Sequence, residues 1–305
     1  MQARELSEPI ATDLINSLTS HGLVDLAEAK LTLTHRYSEQ SHSTDAAFAQ
    51  LRARIAPELT QTTWLPTVSD SGVAVLSARQ NFLIEISGRN RVATLLYSLL
   101  LASGATQTRF APTISSARIT DTDIAVAGIT PQHIGTPLNK ERESHRADFS
   151  LFPLDKKLSY LDEASSPDLI IHCGEIDPQR YAQWMMNGQK FLHIPSPIAD
   201  TAQIGPLVDP GHTPCVRCAE LTLQDQTGMV LTQSLTQSPR DDYPIIAAHY
   251  VAAVAAAMAI QWCDYTSLQT PHHISGRIII CDYQSLTTPI EVALTRHPLC
   301  GCSFH

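Results

Sequence analysis

The sequence predicts an α/β fold: a Rossmann-like, mostly parallel sheet with helices on both faces, entered through a small, mainly helical N-terminal segment. Two observations carry this reading. From residue 71 onward, β-prone runs alternate with helical segments, and glycine or proline punctuates the junctions. With 305 residues, 43% hydrophobic and 17% charged, the chain also has ample material for one large core. Residues 1–70 form the N-terminal segment in this reading, and residues 71–305 the α/β domain.

In the first segment, Ile10 to Leu18, Leu23 to Leu33 and Ala46 to Leu59 read as short helices. Ser20-His-Gly22 and the polar stretch Ser38 to Thr44 break them. Such a set suits a winged-helix-like unit. After Gly72 the pattern changes. Val73 to Leu76 and Phe82 to Ile86 are short β-prone runs, and the turn Ser87-Gly88-Arg89-Asn90-Arg91 follows the second. Val92, Leu95, Leu96, Leu99 and Leu100 then fall on one helical face, which Gly104 ends. Thr106 to Phe110 resumes an extended run. Together these make a βαβ unit.

A second alternation runs from the strand Asp168 to Cys173, through a helix over Pro178 to Asn187 stopped by Gly188, to the strand Lys190 to Ile194. Pro195 to Pro214 is rich in proline and glycine and reads as a long structured loop. Tyr243 to Trp262 is helical, and Arg277 to Tyr283 and Pro289 to Leu294 are strands. The apolar part of that helix, Ile245 to Ile260, carries His249 and falls short of the roughly 20 residues a membrane span requires. A buried or interfacial helix is the reading, with no membrane partner.

A net charge of −9 and the lack of a Lys/Arg run disfavour nucleic acid as a partner. The opening residues Met1 to Glu8 show no basic segment followed by an apolar stretch, so no secretory signal is read there. The seven cysteines are accordingly expected to be reduced or metal-bound in a cytoplasmic protein.

Four of those cysteines form two close pairs. Cys215-Val-Arg-Cys218 ends the Pro/Gly-rich loop, and Cys300-Gly-Cys302 lies in the tail. Thiolates at such spacings suit a tetrahedral structural zinc with Zn–S bonds of about 2.3 Å. The sequence also admits a redox dithiol or unrelated free thiols. A redox Cys-x-x-Cys opens a helix after a thioredoxin-like strand, whereas this pair follows Pro210 to Pro214. His297 is an alternative ligand beside the tail pair. Cys173, Cys263 and Cys281 sit in apolar surroundings and read as core residues.

Ile204-Gly-Pro-Leu-Val-Asp-Pro-Gly-His-Thr-Pro-Cys-Val-Arg-Cys218, taken with His297-Pro-Leu-Cys-Gly-Cys302, resembles the ThiF-type, ubiquitin-activating-enzyme-like superfamily. The nearest branch is the bacterial cyclodehydratase or leader-peptide-binding components of azole-peptide biosynthesis. The likeness spans about residues 70 to 302. It implies a Rossmann-like sheet, a homodimer and a zinc held by Cys215, Cys218, Cys300 and Cys302. Active members bind ATP with magnesium and adenylate the C-terminus of a peptide or small protein.

This chain departs from the nucleotide pattern. The turn after the first strand holds one glycine, Gly88, where the pattern wants three, and Arg89 and Arg91 replace small residues. The second strand ends at Thr108 to Pro112 without an acid for ribose. Asp121 and Asp123 come later and read as surface turn residues. Lys140 is a loose match to the family lysine, and Glu175 and Asp177 lie near the expected magnesium position. Gly88, Arg89, Arg91 and Lys140 therefore read as a degenerate nucleotide site.

The resemblance and these departures together give the expected function. The chain is a zinc-binding, non-adenylating scaffold, a pseudoenzyme that binds a peptide or protein partner in peptide modification. An ATP-dependent adenylyltransferase is the alternative. A Rossmann oxidoreductase is disfavoured by the single glycine and the missing acid. No Gly-x-Ser-x-Gly elbow, His-Glu-x-x-His or Walker-type lysine loop occurs. His272 and His273 read as surface residues, and His172 and His193 as packed histidines rather than acids or bases. Trp184, Met185 and Met186 read as core or dimer contacts, and the Ala-rich helix as a symmetric dimer contact.

Overall fold

The computed structural model describes residues 8–21, 56–68, 70–124, 126–141, 166–198, 201–227, 242–271, 274–283 and 288–302. Of the N-terminal expectations, the helix over Ile10 to Leu18 is present as α1, Glu8–Ser20. A second helix, α2, covers residues 56–63. Leu23 to Leu33 and most of Ala46 to Leu59 lie outside the described residues.

Val73 to Leu76 is not a strand. It forms α3, Val73–Ala78. Asp70 supplies the reason: its carboxylate accepts hydrogen bonds from the backbone N–H groups of Gly72 at 3.1 Å and Ala74 at 2.7 Å. Satisfying those orphan donors nucleates a helical turn, and burial of Val73, Val75 and Leu76 outweighs the β preference of valine.

The main sheet has five strands in the order β2-β1-β3-β4-β6. These are β1 Ile84–Ser87, β2 Thr108–Phe110, β3 Leu169–Cys173, β4 Phe191–Ile194 and β6 Leu207–Val208. The first four are mutually parallel and β6 is antiparallel to β4. Alternate side chains divide the core into two layers. Ile84, Ile86, Leu169, Ile171, Leu192 and Ile194 face a cluster built with α4, Arg91–Ala102, and α8, Ile245–Ser267. Ile170, Phe191 and Val208 face the opposite way, against Tyr181, Trp184 and Met185 of α6, Pro178–Met186. The short helix α5, Pro112–Ser115, follows β2. The mixed α/β fold with a mostly parallel sheet is thus present, with helices on both faces.

The stretch from Pro195 to Pro214 is not a loop throughout. It contains β5, Thr201–Ile204, and then β6. Here the chain passes from one sheet to another, because β5 pairs with β7, Arg277–Asp282, and β7 with β8, Ile290–Ala293, in a separate antiparallel sheet. Gly205 makes the crossing. Its φ is +97°, and a Cβ there would lie 2.9 Å from the Arg277 carbonyl oxygen. Proline and glycine density hid these strands, since each is only two to four residues long. Helix α7, Val216–Thr227, lays Ala219 and Leu223 on Ile278 and Leu294 of this second layer.

Helix α8 is 23 residues, longer than the run read from sequence, and is long and apolar enough to cross a membrane by length and composition. Of its most apolar window 56% is buried inside the protein, where it packs across α4. It also carries a buried charge. Asp264 receives both arms of Arg79, from Nε at 2.7 Å and from Nη2 at 2.8 Å. The Arg79 side chain is 0% exposed and reaches Glu58 of α2 at 3.3 Å and the Ser103 carbonyl at 2.9 Å. One guanidinium thereby joins α2, the end of α3, the end of α4 and α8. Removing one partner leaves the other charge buried and unpaired. Asp264→Ala is expected to cost about 3–5 kcal/mol of stability, read as a lower urea midpoint, and a midpoint within error of wild type would refute this role.

Candidate functional site

The four paired cysteines meet. Cys215 and Cys218 open helix α7, and Cys300 and Cys302 return to them from the tail, so that the four sulfurs lie within 4.8 Å of one another. Individual separations are 3.8 Å for Cys215 to Cys218, 3.3 Å for Cys215 to Cys300 and 3.4 Å for Cys218 to Cys302. A tetrahedral ion with sulfur ligands at about 2.3 Å needs sulfurs about 3.8 Å apart, so this donor set fits a metal. The pair does open a helix, unlike the reading from sequence. Its second pair of sulfurs supplies the further ligands that a two-cysteine redox motif lacks.

Local electrostatics suit the same reading. Burial opposes charge on Cys218. Even so, the N–H of His297 and hydrogen bonds from Cys215, Cys302 and Cys300 bring its thiol down to about 7. Cys302 is pushed up to about 11 by burial and the neighbouring thiols, and Cys300 is pushed up as well. Four sulfurs in one place do not all ionise without a cation among them. Tyr181 sits against Cys215 with its phenol held protonated by burial and by a hydrogen bond to that sulfur. His297 is not a ligand, since both its ring nitrogens are engaged elsewhere. Nε2 lies 2.9 Å from Asp225, and Nδ1 accepts from the Leu299 N–H at 3.2 Å.

The turn after β1 forms the second place of interest. Gly88 has φ +99°, and a Cβ there would come within 1.8 Å of the Cys173 carbonyl oxygen at the end of β3. Its glycine is therefore required by close approach of two strand ends. Asn90 caps α4 by accepting from the Ala93 N–H at 2.9 Å. The Asp242 carboxylate takes the Arg91 N–H at 3.0 Å and the Tyr243 N–H at 2.8 Å. It thus occupies the N-terminal end of α4, where the positive end of the helix dipole favours an anion.

Both arginines of the turn are committed to the protein itself. Arg91 donates to the carbonyls of Thr122 at 3.0 Å and Tyr243 at 2.8 Å, with Asp242 3.8 Å away. Arg89 donates to the Arg118 carbonyl and lies 3.5 Å from Asp123. Asp123 is buried, contrary to its reading as a surface turn residue. It accepts from the Thr120 N–H and hydroxyl and closes a capping box. Asp121 is exposed. Lys140 is exposed, as is Glu175, while Asp177 caps α6 by accepting from the Arg180 N–H at 3.2 Å. Asp242 was missed from sequence, and only its place just before Pro244, the residue that precedes α8, could have flagged it.

At the carboxyl ends of β3 and β4 two buried histidines stack, with ring centroids 6.0 Å apart. His172 Nε2 donates to the Glu175 carbonyl at 2.9 Å, so its Nδ1 accepts from the Ser87 hydroxyl at 3.2 Å. Arg180 in turn donates to that hydroxyl at 3.4 Å. His193 Nε2 donates to the Gly174 carbonyl at 3.0 Å. Both are packed, as read from sequence. Cys173, Cys263 and Cys281 are buried, and burial raises each thiol. Trp184 and Met185 are packed against the second core layer, whereas Met186 is 82% exposed. His272 and His273 lie outside the described residues.

The mixed α/β architecture with its mostly parallel sheet is a Rossmann-like, ThiF-type fold. Among solved structures it is similar to E. coli MccB with ATP, at TM-score 0.65 and 12% identity over 99% of this chain and 83% of that one. It is likewise similar to E. coli MccB with MccA-N7isoAsn, at TM-score 0.66 and 12% identity over 99% and 84%. PaaA matches at TM-score 0.63 and 10% identity over 95% and 84%. No protein-family model matches the chain, and no curated protein matches it in sequence.

A pH dependence follows from the histidines. Burial, then the charge of His172, lowers His193 to about 3 from an ordinary value near 6.5, partly offset by the Gly174 carbonyl. Burial lowers His172 as well. The unfolded chain therefore binds more protons between these values, so the contribution is complete above pH 6.5 and is lost as pH falls towards 3. At pH 5 the loss from His193 is about 2 kcal/mol. Urea titrations at pH 7 and pH 5 should show the drop, and His193→Gln should shrink it; equal drops in both proteins would count against this assignment.

Proposed function

We propose that this protein is a non-adenylating ThiF-like scaffold, cytoplasmic and homodimeric, that holds one structural zinc and binds a peptide or protein partner in peptide modification. The observation that carries the reading is the Asp242 carboxylate on the Arg91 N–H at the start of α4. A nucleotide phosphate in that seat would meet a fixed negative charge, with Arg89 and Arg91 already turned to protein carbonyls. A peptide partner is supported by the neighbour MccB, a microcin C7 biosynthetic enzyme seen in complex with N-formylated MccA. A dimer contact on α8 is supported by the exposed apolar residues of its first turns, Ile245, Ile246 and Tyr250 at 39%, 81% and 40% exposed.

Zinc is favoured over other ions because four thiolates in a closed tetrahedral set suit it best. Cys215, Cys218, Cys300 and Cys302 would hold it, and its contribution is to cross-link the tail to α7. Metal analysis should find one zinc per chain. Its removal by a chelator, or Cys300→Ser, should lower the melting temperature; a metal-free, equally stable chain would refute the site.

The adenylyltransferase reading draws on the neighbour MccB, which was captured with ATP, and on the two cations Arg89 and Arg91 beside the turn. The two readings separate by experiment. The scaffold reading expects no thermal shift with ATP and magnesium and no ATP–pyrophosphate exchange in the presence of a candidate peptide. Asp242→Ala vacates the seat. It is expected to cost about 1–2 kcal/mol and to confer a phosphate-dependent rise in melting temperature that wild type lacks. Pyrophosphate exchange by the wild-type chain would overturn the scaffold reading in favour of the enzyme.

A further inference from the structure

Asp225 lies seven residues after Cys218 on α7, which puts it two helical turns further along the same face. His297 lies three residues before Cys300 in the tail. Every polar group of His297 is used. Its backbone N–H donates to the Cys218 sulfur at 3.3 Å, and its carbonyl accepts from the Cys300 N–H at 3.0 Å. Its Nδ1 accepts from the Leu299 N–H at 3.2 Å, which fixes the proton on Nε2 and directs it to Asp225 at 2.9 Å. The imidazole is 12% exposed, although Asp225 itself is 70% exposed. No ring nitrogen remains for a thiol, so the pair does not activate a cysteine nucleophile.

We propose that Asp225 and His297 are positioning residues for metal retention: a hydrogen-bonded clamp that folds the Leu299–Cys300 turn and aims the tail sulfurs at those of α7. This rests on the zinc reading above. With Asp225 fixing the ring, Nδ1 is held where it captures the Leu299 N–H, and the turn places Cys300 3.3 Å from Cys215. The same residue's backbone supplies a donor to a coordinating sulfur, which stabilises its thiolate form. Arg296 adds a second tie by donating to the Gly211 carbonyl in the loop ahead of Cys215. Loss of the clamp would free the tail segment that carries Cys300 and Cys302.

The test uses the full-length chain and follows zinc transfer to a colorimetric chelator. Wild type should carry zinc and release it slowly, and Asp225→Ala should release it about 10- to 100-fold faster. Asp225→Asn keeps an acceptor for Nε2–H and should release close to the wild-type rate. With cobalt in place of zinc, Asp225→Ala should also change the thiolate-to-metal absorption bands, which a purely structural loss elsewhere on α7 would leave alone. Release from Asp225→Ala at the wild-type rate, or equally fast release from Asp225→Asn, overturns the clamp while leaving the metal site standing. A wild-type chain without zinc overturns the metal reading, and the clamp with it.

Discussion

Four sulfurs from segments about 80 residues apart must occupy a space of 4.8 Å, and much of the second half of the molecule is arranged around that requirement. Cys215 and Cys218 are held by the first turn of α7, which lies on the second face of the main sheet against Ile170, Phe191 and Val208. The tail reaches them only because β7 and β8 form a separate small sheet under the same helix. The entropy of closing so long a loop grows only logarithmically with its length. Binding free energy on the order of 10 kcal/mol, as structural thiolate zinc sites supply, would exceed it. A metal held by these sulfurs would therefore tie the helix to the second sheet.

The start of α4 presents a different situation, a helix N-terminus whose N–H groups are taken by the chain's own side chains. Exposed N–H groups at a helix N-terminus attract whatever anion is near. Here the acceptors are side chains: Asn90 supplies a neutral oxygen, and Asp242 supplies a carboxylate. Burial raises the Asp242 carboxyl, while the N–H groups of Arg91 and Tyr243 and the charge of Arg91 favour its ionised form. The sheet beneath is unaffected, because Ile84, Ile86, Val92 and Leu96 pack regardless of what caps the helix.

Buried charge elsewhere in the protein is similarly paired off. Arg79 and Asp264 make a bidentate contact inside the core. Such a pair contributes little net stability compared with an apolar replacement, but it demands a single arrangement of the elements that share it. His172 and His193 remain neutral where carbonyl and hydroxyl partners fix their tautomers. These polar contacts account for how α2, α4 and α8 are registered against each other and how the strand ends are finished.

The sequence by itself determined the alternation of strands and helices, because period and punctuation are local properties. Val92 to Leu100 reads as one helical face whatever surrounds it, and Asp168 to Cys173 reads as a buried strand. It also determined which four cysteines form two pairs. Tertiary structure decided what no window of residues contains. It turned Val73 to Leu76 into a helix through the Asp70 carboxylate, and divided the strands after Pro195 between two sheets. It brought Asp242 to the N-terminus of a helix about 150 residues earlier, and His297 to Asp225. Local propensity is encoded in neighbours along the chain. A charge in a seat, or a sulfur opposite another, is set by where the fold returns the chain.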